Sequence, residues 1–122
     1  MIRVFIADDH PLVREGLKKL LHREPDIEVA GETGDVDEVE KKLKEDPYDV
    51  LILDISFPKK SGMVVLRELH KSLPELPVIM FSALPKYLFG EESIKAGAQA
   101  YIHKESASEN LVNAIRRVVH HS

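Results

Sequence analysis

Five short apolar runs, each cut off by polar or turn-forming residues, alternate with stretches in which apolar positions recur every three or four residues. Residues 2–7 read as a strand, and Pro11 sits where a first helical residue is expected, with Val13, Leu17, Leu20 and Leu21 on one face of a helix that ends near Pro25. Ile27 to Ala30 reads as a second strand closed by Gly31. Asp35 and Glu38 have capping-box spacing ahead of a helix carrying Val36, Val39 and Leu43, which Pro47 stops. Val50 to Asp54 is a third strand; after a Pro58–Gly62 loop, Val64, Val65, Leu66 and Leu69 mark a third helix, and Pro74 and Pro77 frame its exit. Val78 to Phe81 is a fourth strand ending at Ser82, followed by a weaker helical stretch with Ile94, Ala98 and a late Gly97. Ala100 to His103 makes the fifth strand and leads to Lys104. Ser106 and Glu109 again match a capping box, before a helix with Leu111, Val112, Ile115, Val118 and Val119 on one side.

Strands alternating with helices imply a parallel sheet with right-handed crossovers and helices on both faces, an α/β doubly wound fold. Its common five-stranded order, 2-1-3-4-5, opens a crevice between the first and third strands, at their carboxyl ends. The polar terminators then gain a shared location. Asp8 and Asp9 follow the run Val4-Phe5-Ile6-Ala7, Asp54 follows Val50-Leu51-Ile52-Leu53, and Ser82 and Lys104 follow strands four and five on the same rim. Three crowded carboxylates raise one another's pKa unless a cation compensates, and an all-oxygen site with open positions suits Mg²⁺. Asp8 and Asp9 also suit the start of the first helix, but two acids exceed what a cap requires. His10 reads as a solvated residue at the loop-to-helix junction rather than a metal ligand. Gly16 costs about 1 kcal/mol relative to Ala inside a helix and reads either as room for close packing of another element or as inconsequential.

The chain has 122 residues, 43% of them hydrophobic, which is enough for one core and one domain. A net charge of −4 lacks the basic footprint of a nucleic-acid-binding surface. No cysteine is present, which removes disulfides and thiolate metal sites and fits a reducing cytoplasm. Asp8 arrives too early for a signal peptide, and no apolar stretch is long enough to span a bilayer, so the chain reads as soluble and cytoplasmic. Its six histidines show no metal-ligand spacing, and His120-His121 receives no function.

The acids, Ser82, Tyr101 and Lys104, in this order and at these strand ends, resemble the receiver domain of two-component response regulators (flavodoxin-like, CheY-like) along essentially the whole chain. The stretch Ala7-Asp8-Asp9-His10-Pro11-Leu12-Val13-Arg14-Glu15-Gly16-Leu17 is most similar to receivers joined to a LuxR-type helix-turn-helix domain, the NarL/FixJ subfamily. The resemblance implies that Asp54 accepts a phosphoryl group, that Asp8, Asp9, Asp54 and the Ser56 carbonyl hold Mg²⁺, with Asp8 acting largely through metal-bound water, and that Lys104 contacts the phosphoryl group. Ser82 and Tyr101 match the hydroxyl and aromatic switch positions: phosphorylation, which adds about −1.5 to −2 units of charge, draws Ser82 inward and leaves space for Tyr101. Residues 1–122 would form the receiver, the regulatory part of a DNA-binding transcription regulator whose effector domain is absent from this sequence. The domain itself is expected to be a phosphoacceptor with slow self-hydrolysis rather than a turnover enzyme, and to bind no nucleic acid directly. The implied partners are a histidine kinase or other phosphohistidine donor docking near the first helix, with Leu12 as a contact, and a second copy through the first and fifth helices.

Three departures stand out. Phe57 replaces the family's usual Met, Lys59-Lys60 replaces more turn-prone residues, and Glu105 stands where Pro commonly follows the lysine through a cis bond, although Asp54, Pro58 and Gly62 keep their spacing. A cis bond before a non-proline costs roughly 2.5–4 kcal/mol, so Lys104-Glu105 is either a strained cis bond held by packing or trans. Competing readings are a stand-alone receiver, a phosphorylation-independent interaction module, and a haloacid-dehalogenase-like phosphatase. The last typically needs a second Asp two positions after the nucleophile, where this chain has Ser56.

Overall fold

A computed structural model describes residues 1–120; the second member of the His120-His121 pair lies outside the described residues. Its elements are β1 (Ile2–Ala7), α1 (Pro11–His22), β2 (Ile27–Thr33), a 3₁₀ turn (Val36–Glu38) running into α2 (Val39–Glu45), β3 (Val50–Asp54), α3 (Gly62–Ser72), β4 (Val78–Ser82), α4 (Lys86–Lys95), β5 (Ala100–His103), a second 3₁₀ turn (Lys104–Ser106) and α5 (Ala107–His120). All strand pairs are parallel, in the order β2-β1-β3-β4-β5. The doubly wound expectation holds.

Continuous apolar runs became central strands because both faces of the sheet are covered. Phe5, Ala7, Leu51, Leu53 and Met80 pack with α2 and α3, whereas Val4, Ile6, Val50, Ile52, Ile79 and Phe81 pack with α1 and α5. Residues Val50 to Leu53 are essentially without solvent contact, and each such side chain stabilises the fold by about 1.5–3 kcal/mol. Charge adds a tie between distant ends: Arg116 of α5 reaches Glu24 at 2.7 Å and Asp26 at 2.8 Å, in the turn between α1 and β2.

Several local expectations are corrected. β2 runs to Thr33, so Gly31 lies inside the strand and does not close it. The register slips there, Val4 pairing with Val29 and Phe5 with Gly31. A β-carbon on Gly31 would lie 2.8 Å from the Phe5 ring and collide with the Tyr48 hydroxyl, so the glycine admits the Phe5–Tyr48 edge-to-face pair, whose centroids are 5.1 Å apart. Asp35 caps the 3₁₀ turn through Asp37 N–H at 2.9 Å, and Glu38 pairs with Lys42 instead of reaching back. The Ser106/Glu109 box does not form; His103 Nδ1 accepts from Glu105 N–H at 3.2 Å. Val64 is exposed, and so is Ile94, because α4 rests on Gly90 and Ser93, leaving Tyr87, Leu88 and Ile94 outside. Gly97 ends α4 as expected, with φ of +114°. Nothing approaches Gly16, and the Lys104–Glu105 bond is trans.

Candidate functional site

Ala7 pairs with Leu53, so the next residues, Asp8 just past β1 and Asp54 at the end of β3, stand side by side at the point where the winding reverses. Both are 1% exposed. The corner is held from several directions: Asp8 N–H donates to the Thr33 carbonyl at 3.1 Å, and Arg14 Nη1 donates to the Asp8 carbonyl at 2.6 Å. Arg14 is itself fixed by Glu32 at 2.9 Å, and a side chain on Gly34 would fill the place of its guanidinium. On the β3 side, the Asp54 Oδ1 accepts from Ser56 N–H at 3.2 Å, while the Ile55 carbonyl accepts from Gly62 N–H at 2.7 Å. Gly62 is required by space: a β-carbon there would overlap the Asp54 carbonyl and lie 2.8 Å from the Ile55 Cα. Phe57 is buried in the core, and Lys60 is paired with Glu68 at 2.6 Å, so the substituted loop is anchored.

Lys104, 17% exposed, brings its Nζ 2.9 Å from Asp8 Oδ2 and 3.6 Å from Asp54 Oδ2. It also lies 5.8 Å above the Phe81 ring. His10, solvent-exposed at the loop-to-helix junction as expected, also reaches the cluster: its Nδ1 is 2.7 Å from Asp8 Oδ1, 3.2 Å from Asp9 Oδ1 and 3.7 Å from Asp54 Oδ2. Its backbone N–H donates to the same Asp8 oxygen at 2.8 Å. Asp8 Oδ2, Asp9 Oδ1 and Asp54 Oδ2 are buried without a hydrogen-bond partner. Burial, and then the charge of Asp8, push the Asp54 carboxyl above its ordinary value; Ser56 N–H, Lys104 and His10 pull the other way. One ligand atom from each of Asp8, Asp9, His10 and Asp54 lies within 4.8 Å of the others, so the donor set fits a divalent cation.

Ser82 and Tyr101 both bond to Leu84 in the β4–α4 turn. The Ser82 hydroxyl, fully buried, accepts from Leu84 N–H at 3.0 Å, and the Tyr101 hydroxyl donates to the Leu84 carbonyl at 2.7 Å. The Tyr101 ring is buried in this structure. Sequence reasoning missed the parts played by His10 and Arg14. Their only local signal was adjacency to the acids and position in the first helical turn.

The fold and site define a doubly wound α/β protein with a cluster of acids and a lysine at the switch point. The chain matches the response regulator receiver domain over residues 4–116, and it belongs to that family. It is 39% identical over 120 residues to the transcriptional regulatory protein DesR of Bacillus subtilis, covering 98% of this chain and 59% of that protein. It is 37% identical to the oxygen regulatory protein NreC of Staphylococcus epidermidis, covering 96% and 54%. A LuxR-family two-component response regulator from Aurantimonas superposes with a TM-score of 0.90 at 29% identity, covering 96% of this chain and 84% of that one. The chain spans about half the length of the curated relatives it matches. Receiver domains of this family accept phosphate from histidine kinases, and the relatives are transcription regulators. Among the described residues no helix is long and apolar enough to cross a membrane.

Proposed function

We propose that Asp54 is the phosphoacceptor and that residues 1–122 act as the phosphorylation-controlled part of a transcription regulator. The observation that carries this reading is Asp54 Oδ2, buried without a hydrogen-bond partner beside Lys104. In the reaction this carboxylate oxygen forms a bond to phosphorus as the phosphorus–nitrogen bond of a phosphohistidine breaks, leaving the electron pair on the imidazole and a mixed anhydride on Asp54. Asp8, Asp9, Asp54 and the Ser56 carbonyl would hold Mg²⁺, which when bound neutralises the carboxylates and a phosphoryl oxygen during in-line transfer. That carbonyl takes no hydrogen bond among the described residues. Lys104 moves its ammonium from Asp8 towards the phosphoryl oxygens. The product is hydrolysed slowly rather than turned over, since Ser56 is no general acid.

The output follows from Leu84. A phosphoryl group that attracts the Ser82 hydroxyl releases Leu84 N–H, while Tyr101 keeps its hold on the Leu84 carbonyl, so the β4–α4 turn and the face made by α4, β5 and α5 rearrange. This is a population shift, limited by how much better the phosphoryl group binds the second arrangement. The remaining half of the protein would carry the DNA-binding domain, in the cytoplasm. A histidine kinase would dock beside α1, where Leu12 is 87% exposed next to the acids, and a second copy would pair through α1 and α5.

Incubation with Mg²⁺ and acetyl phosphate followed by intact mass tests the acceptor. One labile phosphate on the wild type and none on Asp54→Asn is the expected result. An unlabelled wild type would leave a phosphorylation-independent module, and rapid release of phosphate from many esters a phosphatase.

A further inference from the structure

His10 is an imidazole placed among three carboxylates in a site otherwise made of hard oxygen donors. Its ring is half-exposed at 53%, but the nitrogen facing the acids is Nδ1, within hydrogen-bond distance of the Asp8 oxygen that also accepts from the His10 backbone N–H. Neighbouring ligands of an ion with bonds of about 2.1 Å stand roughly 3 Å apart in octahedral geometry. The separations of Nδ1 from Asp8, Asp9 and Asp54, 2.7, 3.2 and 3.7 Å, bracket that spacing. An independent sign of a missing charge is Asp54 Oδ2, nine-tenths and more buried, aimed at the same space and without a hydrogen-bond partner.

We infer that His10 is a further protein ligand of the cation site, beside the three carboxylates, and tunes it towards divalent transition ions such as Co²⁺ over Mg²⁺. The inference rests on the reading of Asp8, Asp9 and Asp54 as that site. A neutral ring carrying its proton on Nε2 presents the Nδ1 lone pair to the ion. Magnesium gains little from exchanging a water oxygen for an imidazole nitrogen, whereas imidazole suits the later first-row metals. The ring therefore discriminates between ions that the carboxylates alone would hold in a less selective order.

Calorimetric titration of the full chain with Co²⁺ and, separately, Mg²⁺ at pH of about 8, where a free imidazole is neutral, tests this. His10→Ala is expected to weaken Co²⁺ binding by about 10- to 100-fold and Mg²⁺ binding by less than about threefold. Substoichiometric Co²⁺ should also broaden and shift the His10 ring resonances in NMR spectra of the wild type. His120 and His121 supply tail imidazoles equally to both proteins, and repeating the comparison with both changed to Gln removes them. Unchanged Co²⁺ binding in His10→Ala, equal losses for the two ions, or tighter binding of both would overturn the inference; the last outcome would mean that the ring occupies the ion's own place. The underlying site fails separately, if the wild type binds neither ion or Asp54→Asn binds Mg²⁺ as well as the wild type does.

Discussion

The Lys104 ammonium stands closer to Asp8, at 2.9 Å, than to Asp54, at 3.6 Å. Lys104 is thus held by the neighbour of the proposed acceptor and reaches the acceptor's free oxygen from one side. Lys104→Ala leaves two buried carboxylates with less compensation. It should lower stability at neutral pH by about 1–3 kcal/mol, since the ammonium retains some solvent, and slow acetyl phosphate labelling at least tenfold. Urea unfolding and timed intact-mass measurements check the two effects; unchanged labelling with lowered stability would assign Lys104 a purely structural part.

Asp54 has the opposite influence on the fold. Its folded-state carboxyl titrates above the unfolded value, so the folded chain binds the proton more tightly, and stability falls as pH rises through the interval between the two values. Asp54→Asn should therefore be more stable than the wild type at pH 7, with the gap closing as the pH drops to about 4, near the ordinary carboxylate value. Denaturant midpoints across that range measure it, and a gap independent of pH would contradict the assigned cause.

Cation binding should remove part of the same penalty. At free Mg²⁺ ten times the dissociation constant, linkage predicts about 1.4 kcal/mol of added stability for the wild type. Asp54→Asn should gain clearly less. Thermal unfolding with Mg²⁺ against chelator reads the difference.

Gly62→Ala forces a methyl group onto the carbonyl of Asp54 and the Ile55 Cα. Backbone cannot yield as a flexible side chain does, so the cost should be about 2–3 kcal/mol, with slower labelling as Asp54 is displaced. Thermal unfolding gives the first quantity. Gly16→Ala, whose new carbon meets nothing within 4 Å beyond its own stretch of helix backbone, should instead stabilise α1 by up to about 1 kcal/mol.

Ser82 and Tyr101 share Leu84, and their effects should not add. Ser82→Ala and Tyr101→Phe should each cost about 1 kcal/mol, with a coupling of at least about 0.5 kcal/mol in a double-mutant cycle. Amide exchange at Leu84 should quicken in Ser82→Ala. Additive effects with unaltered exchange would separate the two residues and weaken the proposed output route.

The legible parts of the protein are those that depend on a residue's own chain segment. Val50 to Leu53 announces a strand covered on both faces because only such burial favours four consecutive apolar residues. Its terminator Asp54, with Asp8, Asp9, Ser82 and Lys104, could be placed on one rim because parallel strands end at the same edge. The strong period of α5 likewise put Leu111, Ile115 and Val118 against the sheet. The tertiary structure decided what local pattern cannot encode. β2 extends past Gly31 because Phe5 and Tyr48, far away in sequence, need the room that its missing side chain leaves. α4 turns Ile94 outward because Gly90 and Ser93 form its buried face, with Ser93 Oγ 3.4 Å from Met63 Sδ of α3. His10 meets both acids because β1 and β3 bring Asp8 and Asp54 together beneath its ring, a neighbourhood that exists only once the sheet has formed.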